Sequence, residues 1–201
     1  MRARVELNHS MNVGIVLAGG LSTRAHTNKL SLLVDSKPII LHTIDSIKPY
    51  VNKVIVVTGK YDQELRPLLS DVEVVYNKDY ELGMFSSVLA GLNNIHDDVV
   101  IVPGDMPNIS PDTYKAIMRG HGLIRIPTYN EKRGHPLFLN KDMVTILIKE
   151  DVHSNLKEFI NKHEDKVELI PVNDPFIKID IDTIEDYTEF IDLRKEQTYG
   201  C

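Results

Sequence analysis

Four short runs of aliphatic and β-branched residues constrain the fold of this chain more than any other feature. They lie at residues 13–17, 54–57, 72–75 and 99–102. Three of the four are apolar almost throughout, without the alternation that is typical of a half-exposed strand. Strands buried on both faces have this composition, because helices cover both sides of a parallel sheet. The runs therefore predict buried strands in a layered protein.

Helical patterns separate and follow these runs. Apolar residues recur at helix spacing over residues 39–47, just after Pro38, and again over 85–92. Further strands are expected at 123–126, 136–139 and 167–172, and further helices at 141–149, at 153–163 and after Thr183. The alternation predicts an α/β fold, with a single-domain, mostly parallel, doubly wound sheet.

The ends of the chain bear on its organisation. Residues 1–11 combine basic residues with no apolar core, so a secretory signal is excluded. We expect a disordered leader or tag there, or a frayed native arm, and one domain over residues 12–201. The single cysteine, Cys201, excludes an internal disulfide and a cysteine-rich zinc site, and a cytoplasmic location is expected.

The charge balance narrows the class of partner. The chain has 23 Lys and Arg against 29 Asp and Glu, a formal net charge of −6. A broad basic face for nucleic acid is not expected on that balance. No apolar stretch approaches the ~20 residues that span a membrane, so no membrane partner is expected. A local basic pocket for one phosphorylated ligand remains compatible with the composition.

The first strand leads into a glycine-rich turn, Leu17-Ala18-Gly19-Gly20-Leu21-Ser22-Thr23-Arg24, and Lys29 follows. Ligands of open α/β sheets bind at the carboxyl ends of the strands. Glycines let backbone N–H groups approach a phosphate, and Arg24 and Lys29 could neutralise its charge. A tight turn with two solvated cations is the alternative interpretation. The dinucleotide-binding and P-loop glycine patterns are both absent.

Acidic residues follow the fourth strand and precede the expected closing helix. Asp105, in Pro103-Gly104-Asp105-Met106-Pro107, would lie at the same sheet edge as the glycine-rich turn. A carboxylate near phosphates is a natural Mg²⁺ ligand, although a turn aspartate has the same local pattern. Asp180 and Asp182 share one side of an extended segment and form a second carboxylate pair, unless Asp182 or Thr183 caps the next helix.

Taken in order, these motifs resemble the MobA/MocA group of nucleotidyltransferases. The resemblance spans residues 13 to about 191 and rests on Leu17-Ala18-Gly19-Gly20-x-Ser22-x-Arg24, Lys29-Leu30, Asn77, Gly83-Met84-x-Ser86-Ser87, Pro103-Gly104-Asp105-Met106-Pro107, Arg133-Gly134-His135-Pro136 and Asp180-Ile181-Asp182-Thr183. The later motifs favour the molybdenum cofactor cytidylyltransferase branch. The Ala-Gly-Gly triplet is more like the guanylyl branch, so the base stays open. Ala25-His26 replaces the usual Met-Gly after Arg24.

The resemblance implies a GT-A-like Rossmann core, the fold of nucleotide-diphospho-sugar transferases. It implies transfer of a nucleotide from CTP or GTP to a phosphorylated acceptor, molybdopterin, with Mg²⁺ as cofactor and pyrophosphate as product. It also implies transient contact with a molybdoenzyme or its chaperone.

The resemblance assigns roles to residues of this chain. The catalytic residues would be Arg24, Lys29 and Asp105. The nucleotide would be bound by Leu17, Ala18, Gly19, Gly20, Ser22, Arg24, Lys29, Asn77, Gly83 and Asp105. The acceptor would be bound by Ser86, Ser87, Arg133, Gly134 and His135, and the metal by Asp105 with Asp182 or Asp180.

Two other functions stay open. The same turn and carboxylate would serve a sugar- or alditol-phosphate nucleotidyltransferase, which differs only in its acceptor. The altered loop at Ala25-His26 motivates a different class, a nucleotide-binding accessory protein without catalysis.

Overall fold

The structure of the protein is a computed structural model that describes residues 12–20, 28–179 and 188. The expected leader, the closing helix after Thr183, and the candidate residues Ser22, Arg24, Asp180 and Asp182 lie outside the described residues.

The described elements alternate along the chain much as the apolar runs predict. The strands are β1 (Asn12–Ala18), β2 (Leu33–Val34), β3 (Lys37–Pro38), β4 (Lys53–Thr58), β5 (Glu73–Tyr76), β6 (Asp98–Pro103), β7 (Ile124–Tyr129), β8 (Lys132–Arg133), β9 (Leu137–Leu139) and β10 (Val167–Pro171). The α-helices are α1 (Ile39–Ile47), α2 (Asp62–Leu65), α3 (Met84–Leu92), α4 (Pro111–Arg119), α5 (Lys141–Leu147) and α6 (Leu156–Lys162).

The main sheet of the described chain has the strand order β10-β7-β9-β6-β1-β4-β5, with β8 paired to β7. β1 lies in parallel between β4 and β6, and β5 and β10 also pair in parallel with their neighbours. β9 runs antiparallel to both β6 and β7. The sheet is therefore mostly parallel and doubly wound, which confirms the predicted fold class.

Each face of the sheet carries its own apolar core, because successive side chains of a strand point to opposite faces. Val13, Ile15 and Leu17 of β1 pack with α3, α5 and α6. Val16 and Ala18 pack on the other face with α1, α2 and α4. Both sets are at most 8% exposed, which explains why this strand is apolar without alternation.

Several boundaries differ from the sequence-based prediction. β5 begins at Glu73 rather than at residue 72, and β7 continues to Tyr129, three residues beyond the expected end. The helices predicted at 141–149 and 153–163 are shorter, over Lys141–Leu147 and Leu156–Lys162. Their observed starts coincide with asparagine caps, since the side chains of Asn140 and Asn155 accept hydrogen bonds from the first turns.

Helix α4 escaped the prediction because its apolar stripe is narrow. Only Thr113, Tyr114 and Ile117 of its nine residues are buried. The start signal was nevertheless present, since Ser110 accepts a hydrogen bond from the Thr113 amide and Pro111 follows at the first helical position.

A buried carboxylate ties α4 to a segment more than sixty residues away. Asp174 is 3% exposed. Its Oδ2 accepts hydrogen bonds from the Ser110 amide (2.8 Å) and the Thr113 hydroxyl (2.7 Å), and its Oδ1 accepts one from the Phe176 amide (3.0 Å). Asp174 thereby fixes the start of the 3₁₀ turn Pro175–Lys178. Within the described residues, no helix has the length and apolar composition needed to cross a membrane.

The substitution Asp174→Ala should lower the free energy of unfolding by about 3 kcal/mol, because three buried donors lose their charged acceptor. Urea denaturation measures this. Asp112→Ala is the matched control, since that carboxylate is exposed and pairs only with Lys115; its midpoint should stay close to that of the wild type. Equal midpoints for the two variants would contradict this role of Asp174.

Candidate active site

A cavity of about 1030 Å³ lies along the carboxyl ends of the central strands. Gly19 and Gly20 line it after β1, Tyr61 after β4, Tyr80 after β5 and Asp105 after β6. Its size matches or slightly exceeds that of typical ligand pockets, which leaves room for a nucleotide together with a small acceptor.

The glycine-rich turn and the Asp105 loop are joined through the backbone. The Gly104 amide donates a hydrogen bond of 2.9 Å to the Leu17 carbonyl. Parallel pairing puts Leu17 opposite Pro103, so both strands end at the same level of the sheet. The predicted convergence of Gly19, Gly20 and Asp105 on one crevice is therefore found in the structure.

Gly19 lies where no side chain fits. A Cβ built on Gly19 would lie 2.4 Å from the Ser87 Oγ, and one built on Gly59 would lie 2.8 Å from the Gly19 carbonyl oxygen. A Cβ on Gly20 would meet nothing within 4 Å. Gly19 is thus required by packing against α3, a reason that is independent of which base the site takes.

Asn77 organises the wall behind this turn. Its Nδ2 donates hydrogen bonds to the hydroxyls of Ser86 (2.9 Å) and Ser87 (3.0 Å), and its Oδ1 accepts one from the Asp79 amide (3.0 Å). Ser86 in turn donates to the carbonyls of Asp79 and Gly83.

The outcome differs among these three candidates. Ser87 lines the cavity, whereas Asn77 and Ser86 lie behind its wall. Both side chains are buried and form hydrogen bonds with the protein itself, so they help to position Ser87 and Gly83. The contacts of Asn77 with the nucleotide and of Ser86 with the acceptor stay predictions.

Two of the three predicted catalytic residues form an ion pair. Lys29 Nζ lies 2.6 Å from Asp105 Oδ2, and the two side chains are 14% and 13% exposed. The 3₁₀ turn Lys29–Ser31 supplies the lysine, and the loop after β6 supplies the aspartate. Attraction between such shielded charges is stronger than between exposed ones, so each residue restricts the position of the other.

Asp105 has a coordination site to spare. Its Oδ1 is buried and accepts no hydrogen bond from the described residues. The described residues contain no group of three or more His, Cys, Asp or Glu that could hold a metal by themselves. Mg²⁺ favours one or two carboxylates together with phosphate oxygens and water. Asp105 therefore fits a magnesium ion that a bound triphosphate helps to hold.

The Arg133-Gly134-His135 segment also lines the cavity, on the side of β9 and β7. The Gly134 amide donates to the Pro127 carbonyl (2.9 Å), and the His135 amide donates to the Ile177 carbonyl (2.7 Å). Arg133 forms an ion pair with Glu164. The segment is thus held in place by three separate parts of the chain.

Several lining residues were not found by the sequence analysis. These are Asn28, Tyr61, Tyr80, Lys132, Lys157 and Lys178. Asn28 is 5% exposed, and neither polar atom of its side chain has a hydrogen-bond partner within the described part of the chain. The one sequence signal that could have found Asn28 was its position next to Lys29. The others come from separate elements and have no shared spacing in the sequence.

The cavity is more basic than the protein as a whole. Among the residues that the structure describes, Lys29, Lys132, Arg133, Lys157 and Lys178 line it, against the single carboxylate of Asp105. The walls therefore suit an anionic ligand.

The carboxyl group of Asp62 lies next to Tyr61 in the sequence and accepts a hydrogen bond from Thr58 at the end of β4. A hydrogen bond from Arg66 lowers the pKa of Asp62, so this carboxyl group stays ionised.

The substitution Gly19→Ala should cost about 1–2 kcal/mol of stability, because the new methyl group displaces the Ser87 hydroxyl from its bond with Asn77. Gly20→Ala is the control and should cost much less. Urea denaturation of Gly19→Ala alone and with Ser87→Ala separates the cause: the glycine substitution should cost less when the hydroxyl is absent. The same cost in both backgrounds would contradict the packing argument.

Two known molybdenum cofactor nucleotidyltransferases are similar to this chain over most of its length. A molybdenum cofactor cytidylyltransferase of Escherichia coli (strain K12) is 26% identical over 179 residues, which cover 86% of this chain and 92% of that protein. A molybdenum cofactor guanylyltransferase of Shewanella loihica is 25% identical over 164 residues, covering 77% of this chain and 78% of that protein.

A solved structure of a nucleotidyl transferase from Methanothermobacter has the same fold. It superposes with a TM-score of 0.80 at 24% identity and covers 92% of this chain and 99% of that one. The MobA-like NTP transferase domain matches residues 14–167. With this match, and with the strand order and glycine-rich turn described above, the chain belongs to the MobA-like NTP transferase family.

Proposed function

We propose that this protein is a Mg²⁺-dependent nucleotidyltransferase that moves a nucleotide from CTP or GTP to a phosphorylated acceptor of the molybdopterin type. Membership of the MobA-like NTP transferase family supports the class of reaction. The named activities of the Escherichia coli and Shewanella relatives support the acceptor. The Lys29–Asp105 pair beside the glycine-rich turn is the single observation that carries the proposal.

The pair lies in the middle of the sheet, between two different environments. Tyr61 and Tyr80 lie towards β4 and β5, where aromatic rings suit a nucleoside. Arg133, Gly134 and His135 lie towards β9 and β7. A reacting phosphorus atom beside Asp105 and Lys29 would thus have the nucleoside on one side and the acceptor on the other.

In this reaction an oxygen of the acceptor's phosphate attacks the α-phosphorus of the nucleoside triphosphate. The bond from that phosphorus to the oxygen bridging to the β-phosphate breaks, and pyrophosphate leaves with its electron pair. The attacking phosphate is already ionised at neutral pH, since its second pKa is about 6. No side chain has to remove a proton, so the residues act by positioning and charge neutralisation.

The residues of the site act in this reaction by positioning the phosphates and by neutralising their charge. The turn at Gly19 and Gly20 brings backbone N–H groups close to the phosphates without side chains in the way. Lys29 neutralises charge that builds on the leaving pyrophosphate, and Arg24 is proposed to assist it. Asp105 would hold Mg²⁺ with its spare oxygen, and the metal would supply positive charge to the phosphate oxygens.

The structure bears on the acceptor but leaves the base open. Apolar side chains of Leu137, Leu156, Ile160 and Ile177 line the cavity on the acceptor side. Such a wall favours an acceptor with a flat ring system over a small alditol phosphate, whose hydroxyls would lose water without gaining partners. A cytoplasmic location and contact with a molybdoenzyme or its chaperone stay predictions.

The activity is tested by pyrophosphate release with Mg²⁺, molybdopterin and each of CTP, GTP, UTP and ATP. We expect turnover with CTP or GTP. Lys29→Ala and Arg24→Ala should each lower it by about 10²–10³-fold, the usual effect of losing one charge-stabilising group. Lys29→Ala should also lower the melting temperature, because Asp105 keeps a shielded charge without its partner.

Lys149→Ala is the control, because this exposed lysine lies outside the cavity. Full activity in both cavity variants would refute the assigned roles. Nucleotide binding without turnover in the wild type would instead favour the non-catalytic accessory protein.

The metal is tested by the Mg²⁺ concentration that gives half-maximal rate. Asp105→Asn should raise it about tenfold or more, since loss of even an outer contact of a metal ligand costs that much. Asp180→Asn or Asp182→Asn should do the same if that residue is the second ligand, with little change in melting temperature. Substitution of a residue that only caps a helix would lower the melting temperature and leave the Mg²⁺ requirement unchanged. An unchanged requirement in all three variants would remove the metal site.

A further inference from the structure

Three lysines lie around the acceptor side of the cavity and have no part in the proposed reaction. Lys132 belongs to β8, Lys157 to the first turn of α6, and Lys178 ends the 3₁₀ turn Pro175–Lys178. They come from segments that are far apart in sequence, so the fold itself brings them to one cavity.

Two of these lysines lie next to Tyr129, the last residue of β7. The backbone of Lys132 pairs with Tyr129 in the antiparallel β7–β8 ladder. The Lys178 Nζ lies 5.7 Å from the centre of the Tyr129 ring. Lys157 reaches the cavity from α6, together with Leu156 and Ile160.

These three charges are not balanced by carboxylates of the described chain. Lys29 pairs with Asp105, and Arg133 pairs with Glu164. No described carboxylate forms an ion pair with Lys132, Lys157 or Lys178, and the neighbouring Glu131 and Glu158 do not line the cavity. In a protein of net charge −6, three like charges around one cavity form a local field that attracts anions.

The lysines lie beyond the place where the acceptor's phosphate has to react. That phosphate must reach the α-phosphorus beside Lys29 and Asp105, at the ends of β1 and β6. β9 lies between β6 and β7 in the sheet. Neighbouring strands are about 4.8 Å apart, so the end of β7, where Lys178 lies over Tyr129, is about 10 Å across the sheet from β6. A ring system with an anionic group at each end spans about this distance, whereas two contacts with one phosphate lie closer together.

We propose that Lys132, Lys157 and Lys178 form a second anion subsite, which binds an anionic group of the acceptor other than the phosphate that reacts. The acceptor is then an anion at both ends, with a flat, largely apolar body against Leu156, Ile160 and Ile177 between them. This inference rests on the proposed nucleotidyl transfer, since that reaction places the other phosphate at Asp105.

Two probes that differ in one anionic group test the subsite: phenyl phosphate and 4-carboxyphenyl phosphate. Each is titrated calorimetrically into the full chain saturated with Mg²⁺ and an α,β-methylene analogue of the preferred nucleotide. The wild type should bind the carboxylated probe about two- to fivefold more tightly, the range expected for partly exposed charge pairs. Lys132→Gln, Lys157→Gln and Lys178→Gln should each reduce that ratio towards one.

Lys149→Gln is the matched control, because it removes one exposed charge outside the cavity and should leave the ratio unchanged. Equal affinities of the two probes in the wild type would overturn the subsite. Equal weakening of both probes in the lysine variants would also overturn it, because the lysines would then hold the reacting phosphate.

The titration of the nucleotide analogue alone reports separately on the proposed function. If the analogue does not bind, the proposed function fails, and the ratio of the two probes in the nucleotide-free chain still decides whether the lysines recognise a second anion.

Discussion

The parallel pairing of β1 with both β4 and β6 is the constraint on which the rest of the structure depends. It places β1 in the interior of the sheet, where helices cover both of its faces, and brings the ends of three strands to one edge of the sheet. The Gly104–Leu17 backbone hydrogen bond then holds the Asp105 loop against the end of β1. Because the turn after β1 continues directly from this edge, the position of Gly19 follows from the pairing rather than from the loop.

A layer of buried polar groups converts that edge into a site. Asn77 donates hydrogen bonds to Ser86 and Ser87 and accepts one from the Asp79 amide, and a Cβ at Gly19 would clash with the Ser87 hydroxyl. Such a network stabilises one arrangement because each unsatisfied group would be costly. Gly19 therefore has a packing reason in this chain that is independent of the base which the site takes.

Positive charge is concentrated on the β7 side of the cavity, and this side therefore favours an anionic group of a ligand. The ion pair of Lys29 with Asp105 lies centrally. The lysines that pair with no described carboxylate lie on the β7 side, and the tyrosines lie on the β4–β5 side. A ligand with several anionic groups and a ring-containing body matches this order.

The sequence by itself determined the strands of the first half, the α/β class, and the residues next to each strand end. It could do so because burial on both faces imposes a composition on β1, β4 and β6, and because Gly19, Lys29 and Asp105 lie within a few residues of those strands. It did not reveal α4, whose burial is confined to a narrow stripe, or the fact that Asn77 lies behind the cavity wall. Only the tertiary structure decided which distant residues meet. Tyr61, Lys132, Lys157 and Lys178 reach one cavity because the order of strands in the sheet differs from their order in the chain, and no local pattern of residues encodes that order.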